Sequence, residues 1–210
     1  DAGRRGHDIP AEAALTQATL ADPWYPMAMA GMTAWEGIEP ANFSALDQFH
    51  FVEQGDDMLV AKGYGALLAH YARDVPVRLR MPVSRIRWNA GGVAVDAPSG
   101  TVAARIAIVA LPSAVIASGA VIFAPHLPVH VLQAHHDLPL GLMNKVALRF
   151  KRNVFPSERT EFWQLRRDDG RGMSFLTRLD GSNVCVAASA GRLAHELEAA
   201  GEAAAIEHAL

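Results

Sequence analysis

The stretch from Val77 to Pro112 decides how the rest of the chain is read. It runs Val77-Arg78-Leu79-Arg80, then Val83-Ser84-Arg85-Ile86-Arg87-Trp88, Val93-Ala94-Val95-Asp96, Thr101-Val102-Ala103-Ala104 and Arg105-Ile106-Ala107-Ile108-Val109-Ala110-Leu111-Pro112. In the first three pieces large apolar residues alternate with polar or small ones. A period of two marks a strand with one buried face, because successive side chains leave a pleated strand on opposite sides. Asn89-Ala90-Gly91-Gly92 and Ala97-Pro98-Ser99-Gly100 are turn clusters, so Val83 to Val102 is expected to form an antiparallel meander. Ile106 to Leu111 has no polar face. Such a strand is normally covered on both sides, as in a mostly parallel α/β sheet, and its neighbours are expected outside these residues.

Half of the 210 residues are hydrophobic and a fifth are charged, a globular composition with room for one or two domains. A net charge of -3 without a basic run argues against a nucleic-acid partner. The single cysteine, Cys185, excludes an internal disulfide framework. It fits a reducing, cytoplasmic setting and reads as a buried strand residue. The chain starts at Asp1 and stops inside a helical pattern, so a fragment or processed piece is expected, and no signal peptide is visible at the start. Ile106 to Ala124 carries no charge and approaches bilayer length. Pro112 and Gly119 break it and Ser113 and Ser118 dilute it, so strand, short helical turn and second strand are expected instead of a membrane span.

Along the chain, Pro10 followed by Ala11-Glu12-Ala13-Ala14-Leu15 reads as a helix start. Pro23, Pro26 and Gly31 are expected to interrupt the next stretch. Met27, Met29 and Met32, with Trp24 and Tyr25, either fill a core or line a pocket. Ser44 or Asn42 is expected to cap a short helix, and Gly55-Asp56-Asp57 reads as a turn. Lys62-Gly63-Tyr64-Gly65 opens a helix with Leu67, Leu68 and Tyr71 as its buried stripe. It lacks the third glycine of a dinucleotide fingerprint. His126, His130, His135 and His136 cluster without cysteine or carboxylate partners and read as exposed helix residues, so no metal is expected. Lys145 to Phe150 is a strand with Val146, Leu148 and Phe150 on one face. Lys145 and Arg149 take the other, and by spacing alone Lys145 is a solvated lysine. Phe162-Trp163-Gln164-Leu165, Met173-Ser174-Phe175-Leu176 and Val184-Cys185-Val186-Ala187 are further strands, joined by turns at Gly170-Arg171-Gly172 and Asp180-Gly181-Ser182. One antiparallel or mixed sheet is expected from these, Val121-Ile122-Phe123 and the Lys145 strand. A helical tail from Arg192 is expected to divide at Gly201.

The ordered series G-Y-G-A-L-L-A-H-Y-A (from Gly63), P-V-x-x-I (from Pro82), G-V-x-V, G-x-V, A-x-I-A-I-V-A-L-P, I-F-A-P-x-L-P and G-x-x-x-K-V-A-L-R-F (from Gly141) resembles the middle of a flavin-containing amine oxidase, the monoamine and polyamine oxidase family. The resemblance runs from about Gly55 to about Phe155, and more loosely to the end. It implies an α+β architecture: a mixed or antiparallel substrate-domain sheet flanked by helices, plus a β-meander segment of an FAD-binding α/β domain. Residues 57–118 would be the FAD-domain segment, 1–56 the helical part of the substrate domain and 119–210 its sheet and helix. The resemblance makes Val83, in P-V-x-x-I, a backbone contact to the adenine side of FAD; from the residues alone it is an ordinary meander valine. Lys145, in G-x-x-x-K, becomes the catalytic residue that reaches flavin N5 through a water.

The implied reaction takes a hydride from a small-molecule amine to the flavin, followed by imine hydrolysis and reoxidation by oxygen. These residues lack the family's strand-G-x-G-x-x-G-helix and its C-terminal aromatic cage. FAD is therefore implied for the full-length protein, together with flanking segments of the FAD domain. The 210-residue chain alone is expected to bind FAD weakly and to be inactive. Two other readings stand beside this one: a related flavoprotein desaturase or protoporphyrinogen-type oxidase, and a stand-alone non-catalytic binding domain. The uncovered apolar strand from Ile106 argues against the last.

Overall fold

The computed structural model describes residues 2–52, 55, 58–165, 167 and 171–210. In chain order the elements are α1 (Gln17–Leu20), α2 (Tyr25–Glu36), α3 (Ala45–His50), α4 (Tyr64–Tyr71), β1 (Arg85–Asn89), β2 (Gly92–Ala97), β3 (Gly100–Ala104), α5 (Ser113–Ala117), β4 (Ile122–Ala124), α6 (Val129–Asp137), β5 (Met143–Arg149), β6 (Glu161–Gln164), β7 (Ser174–Thr177), β8 (Val184–Ala190), α7 (Gly191–Ala200) and α8 (Glu202–Ala209). They fall into two compact units, Tyr64–Leu140 and Asp1–Gly63 with Gly141–Leu210. The α+β class read from the sequence is what the elements show.

In Tyr64–Leu140 the meander forms where alternation and turn residues placed it. β1 pairs antiparallel with β2 from Arg85↔Asp96 to Asn89↔Gly92, and β2 with β3 from Val93↔Ala104 to Ala97↔Gly100. The Asn89 side-chain oxygen accepts the Gly91 N–H at 2.7 Å, and Gly92 takes a φ of 138° that disfavours any other residue. Ile86 is the buried residue of β1.

Several expectations in this unit are corrected. β4 does not join the Lys145 sheet; it pairs parallel with β1, Arg85↔Ile122 to Arg87↔Ala124, and the Ile122 N–H reaches the Ser84 carbonyl at 3.0 Å. Ile106 to Leu111, whose neighbours are expected outside these residues, has no ladder partner among the described residues, and Ile106 and Ile108 are 78% and 92% exposed. Val77-Arg78-Leu79-Arg80 is not a strand either, since Arg80 turns into the left-handed region at φ 56°. The stripe Leu67, Leu68 and Tyr71 of α4 is exposed where burial was expected.

In the other unit β5, β8, β7 and β6 form one antiparallel sheet in that order. One face packs against α7 and α8 through Met173, Ala187, Leu193, Leu197 and Ala209, with Val146, Leu148 and Phe175 around them. Cys185 lies buried on this face, and burial pushes its thiol up. Gly201 at φ 92° separates α7 from α8, as expected. The expected interruption around Pro26 and Gly31 is corrected: α2 runs through both. Proline in the first turn gives up an N–H that has no intrahelical partner there, and a single glycine lowers helix stability without ending the helix. The helix expected after Pro10 is only a 3-10 turn, Glu12–Ala14. Ser44 does cap α3, accepting the N–H groups of Leu46 and Asp47 at 3.1 and 2.9 Å. Asp56, Asp57 and Gly170 lie outside the described residues. Among the described residues no helix is long and apolar enough to cross a membrane.

The meander carries one charge network. The Arg87 guanidinium donates to Asp96 at 2.8 and 3.2 Å, and the Thr101 hydroxyl donates at 2.7 Å. These bonds hold the Asp96 carboxyl below the usual carboxylate range. A depressed carboxyl contributes stability that is present above its unfolded value, near pH 4, and is lost as pH falls through the folded value. Urea midpoints read by tryptophan fluorescence should therefore drop as pH falls below about 4 in the native chain. The drop should be smaller in Asp96→Asn, and equal slopes in the two proteins would refute the assignment.

Candidate active site

The site is built from one backbone junction. α2 ends at Gly37, whose φ of 75° turns the chain out of the helix. The Gly37 carbonyl accepts the Leu142 N–H at 2.8 Å and the Gly191 N–H at 3.2 Å, and the same Gly191 N–H reaches the Leu142 carbonyl at 3.0 Å. Gly141 lies so close that a Cβ there would stand 2.7 Å from the Gly37 carbonyl carbon and oxygen. The first residue of the G-x-x-x-K stretch is thus glycine for a packing reason: the end of α2 sits on it.

From that anchor β5 alternates. Asn144, Val146 and Leu148 turn to the helix-covered face, and Met143, Lys145, Ala147 and Arg149 to the other. The Asn144 amide donates to the Ala194 carbonyl of α7 at 3.1 Å, which fixes the facing of the strand. Glu39 closes the junction by accepting the Arg192 N–H at 2.6 Å, a carboxylate at the start of α7 where N–H groups lack intrahelical partners.

Lys145 is exposed, on the face its spacing predicted. Across the sheet it stands opposite Ala188, Ala188 opposite Ser174, and Ser174 opposite Gln164. Directly paired residues share a face, so the four form one row. Ala188, Ser174 and Gln164 line an open cavity of about 620 Å³ bordered by Tyr25, Met29 and Thr33 of α2. Tyr25 and Met29 therefore meet the pocket reading of that stretch, whereas Trp24 is exposed. Lys145 itself borders a second groove, of about 510 Å³, with Leu197, Gly201 and Ile206. Val83 belongs to the other unit. It lies half-buried one residue before Ser84, whose N–H donates to the Asp96 carbonyl at 3.0 Å, and its own backbone groups lie beyond that ladder. Among the described residues no three histidine, cysteine or carboxylate side chains gather to hold a metal.

Sequence reasoning passed over Gln164, Ser174 and Glu39. Gln164 and Ser174 were polar residues inside strands read only for their apolar neighbours. A polar residue at each end of the β6–β7 connection was the available signal. Glu39 gave none, because its partner lies 153 residues away.

The model of the family described as flavin containing amine oxidoreductase matches residues 11–210, and the chain belongs to that family. Polyamine oxidase 2 of Arabidopsis thaliana is 30% identical over 191 residues, which covers 89% of this chain and 38% of that protein. Lysine-specific histone demethylase 1 homolog 2 of Oryza sativa subsp. japonica is 34% identical over 171 residues, 78% of this chain and 22% of that one. Among solved structures, cyclohexylamine oxidase from Brevibacterium oxydans IH-35A shares the fold with a TM-score of 0.62 at 18% identity, over 90% of this chain and 45% of that one. The chain thus spans well under half the length of the curated relatives it matches.

The junction makes a direct prediction. Gly141→Ala should lower stability by about 1–3 kcal/mol through overpacking, read as a shift in urea midpoint. An unchanged midpoint would show that α2 does not sit on this glycine.

Proposed function

We propose that these residues belong to an FAD-dependent amine oxidase in which Lys145 acts at the flavin and Val83 contacts the adenine end through its backbone. The observation that carries the reading is Lys145, held exposed on the sheet face opposite the packed core by a G-x-x-x-K stretch whose glycine is locked under α2. When bound, the flavin supplies the hydride acceptor for the carbon bearing nitrogen and passes the electrons on to oxygen.

The residues present fit that group. An ammonium offers three N–H donors and no acceptor, so Lys145 would hold a water by its oxygen beside the flavin. Such a water would assist reoxidation or imine hydrolysis. Met143 and Ala147 flank Lys145 on its face. A dry, apolar pocket around the bound substrate would disfavour the substrate's ammonium form, and the neutral amine is the better hydride donor. Val83, the residue before Ser84, lies beyond the end of the meander ladder, and its backbone would meet the adenine end of the cofactor.

The residues that would cradle the pyrophosphate are not among these 210, so the chain by itself should bind FAD only weakly; sub-micromolar binding by titration would contradict that. In the full-length flavoprotein, Lys145→Met should slow reoxidation by oxygen at least about a hundredfold, with anaerobic reduction by the amine changed far less. Stopped-flow absorbance of the flavin reads both steps. Reoxidation at the native rate would remove Lys145 from the mechanism.

A further inference from the structure

We infer that Asn144 is a positioning residue for flavin reoxidation: its bond to α7 sets the roll of β5, and through it the place of the Lys145 ammonium. The inference rests on the flavin reading of Lys145. The backbone of Lys145 is not itself tied to β8. The Gly191 N–H donates to the Leu142 carbonyl and the Phe150 N–H to the Asn183 carbonyl, each at 3.0 Å. Bonded and non-bonded pairs alternate along an antiparallel ladder. Asn144, Val146 and Leu148 therefore exchange main-chain bonds with β8, while the N–H and C=O of Lys145 point away from it. Among the described residues β5 is also an edge strand, held by β8 on one side. Its roll at Lys145 is therefore set by the two flanking side chains that face the helices, Asn144 and Val146.

Those two act differently. Val146 packs against the apolar cluster, a contact without direction, whereas the Asn144 amide donates to the carbonyl of the fully buried Ala194 at 3.1 Å. The helix-covered face is apolar along Val146 and Leu148 of β5 and along Cys185 and Ala187 of β8. At the end next to Lys145 it turns polar, with Asn144 opposite the buried Ser189. An aliphatic residue at Asn144 would continue the apolar row, and a hydrogen-bonded amide there contributes little net stability; what it adds is direction. Lys145 carries its charge at the end of a flexible four-carbon stem, so a small roll of the strand is magnified at the ammonium. Misplacing a reacting group by about 1 Å costs up to about a hundredfold in rate.

The test is a double-mutant cycle in the full-length flavin-loaded protein. Asn144→Leu and the isosteric Asn144→Asp both remove the donor. Each should slow reoxidation by oxygen about three- to thirtyfold, with anaerobic reduction by the amine changed far less. In the Lys145→Met background the same substitutions should change reoxidation by less than about twofold, because Asn144 acts through the lysine. Crystal structures of the flavin-loaded native protein and Asn144→Asp give a reading without turnover: the Lys145 ammonium should be displaced by about 1 Å with the β5–β8 ladder intact. An ammonium in its native place, reoxidation at the native rate in both variants, equal slowing of both half-reactions, or undiminished slowing in the Lys145→Met background overturns this inference alone. Native-rate reoxidation in Lys145→Met itself overturns the flavin reading and this inference together.

Discussion

The unit that holds β5 to β8 depends on one carbonyl oxygen, that of Gly37. It receives the N–H of Leu142 at the start of β5 and that of Gly191 at the start of α7. Those bonds tie a helix end, a strand start and a second helix start with no side chain between them. Close approach needs Gly141 and Gly191 to lack a Cβ, which would stand 2.7 Å from the Gly37 carbonyl and 2.4 Å from the Glu39 carboxylate respectively, while Gly37 supplies the positive φ of 75°. Once β5 starts there, alternation decides that Lys145 leaves the core while Val146 enters it. The chemistry proposed for the lysine depends on where a backbone hydrogen bond begins a strand.

The other unit has a different character. Its meander is complete in itself, closed by β4 on one edge, with Trp88 donating to the Pro125 carbonyl at 3.0 Å. Around it lie apolar groups that meet water: Ile106, Ile108, Val77, Leu79 and Tyr71 are each more than half exposed. Exposed apolar surface forgoes about 25 cal/mol for each Å² left uncovered, and on the proposed reading it belongs under further segments of the FAD domain.

Local signals were legible in the sequence, and non-local ones were not. The meander could be read because Asn89 to Gly92 and Ala97 to Gly100 announce their turns, and β5 because Val146, Leu148 and Phe150 alternate with Lys145 and Arg149. Gly201 and Ser44 act through their immediate neighbours, so their roles as divider and cap were visible too. The place of β4 was not, because three residues carry too little pattern to choose between two sheets, and a bond from Ile122 to Ser84 made the choice. The row from Lys145 to Gln164 needed the register of four strands at once. Burial of the α4 stripe failed for a related reason: spacing says which residues share a face, and what covers that face is decided elsewhere.

The central claim is that Lys145 works at a flavin. A flavin-bound structure of the full-length protein tests it most directly. The expected result is the Lys145 ammonium joined to flavin N5 through a single water, on the outer face of β5 beside Met143 and Ala147. A lysine pointing into bulk solvent, with the flavin ring held against other residues, would contradict it.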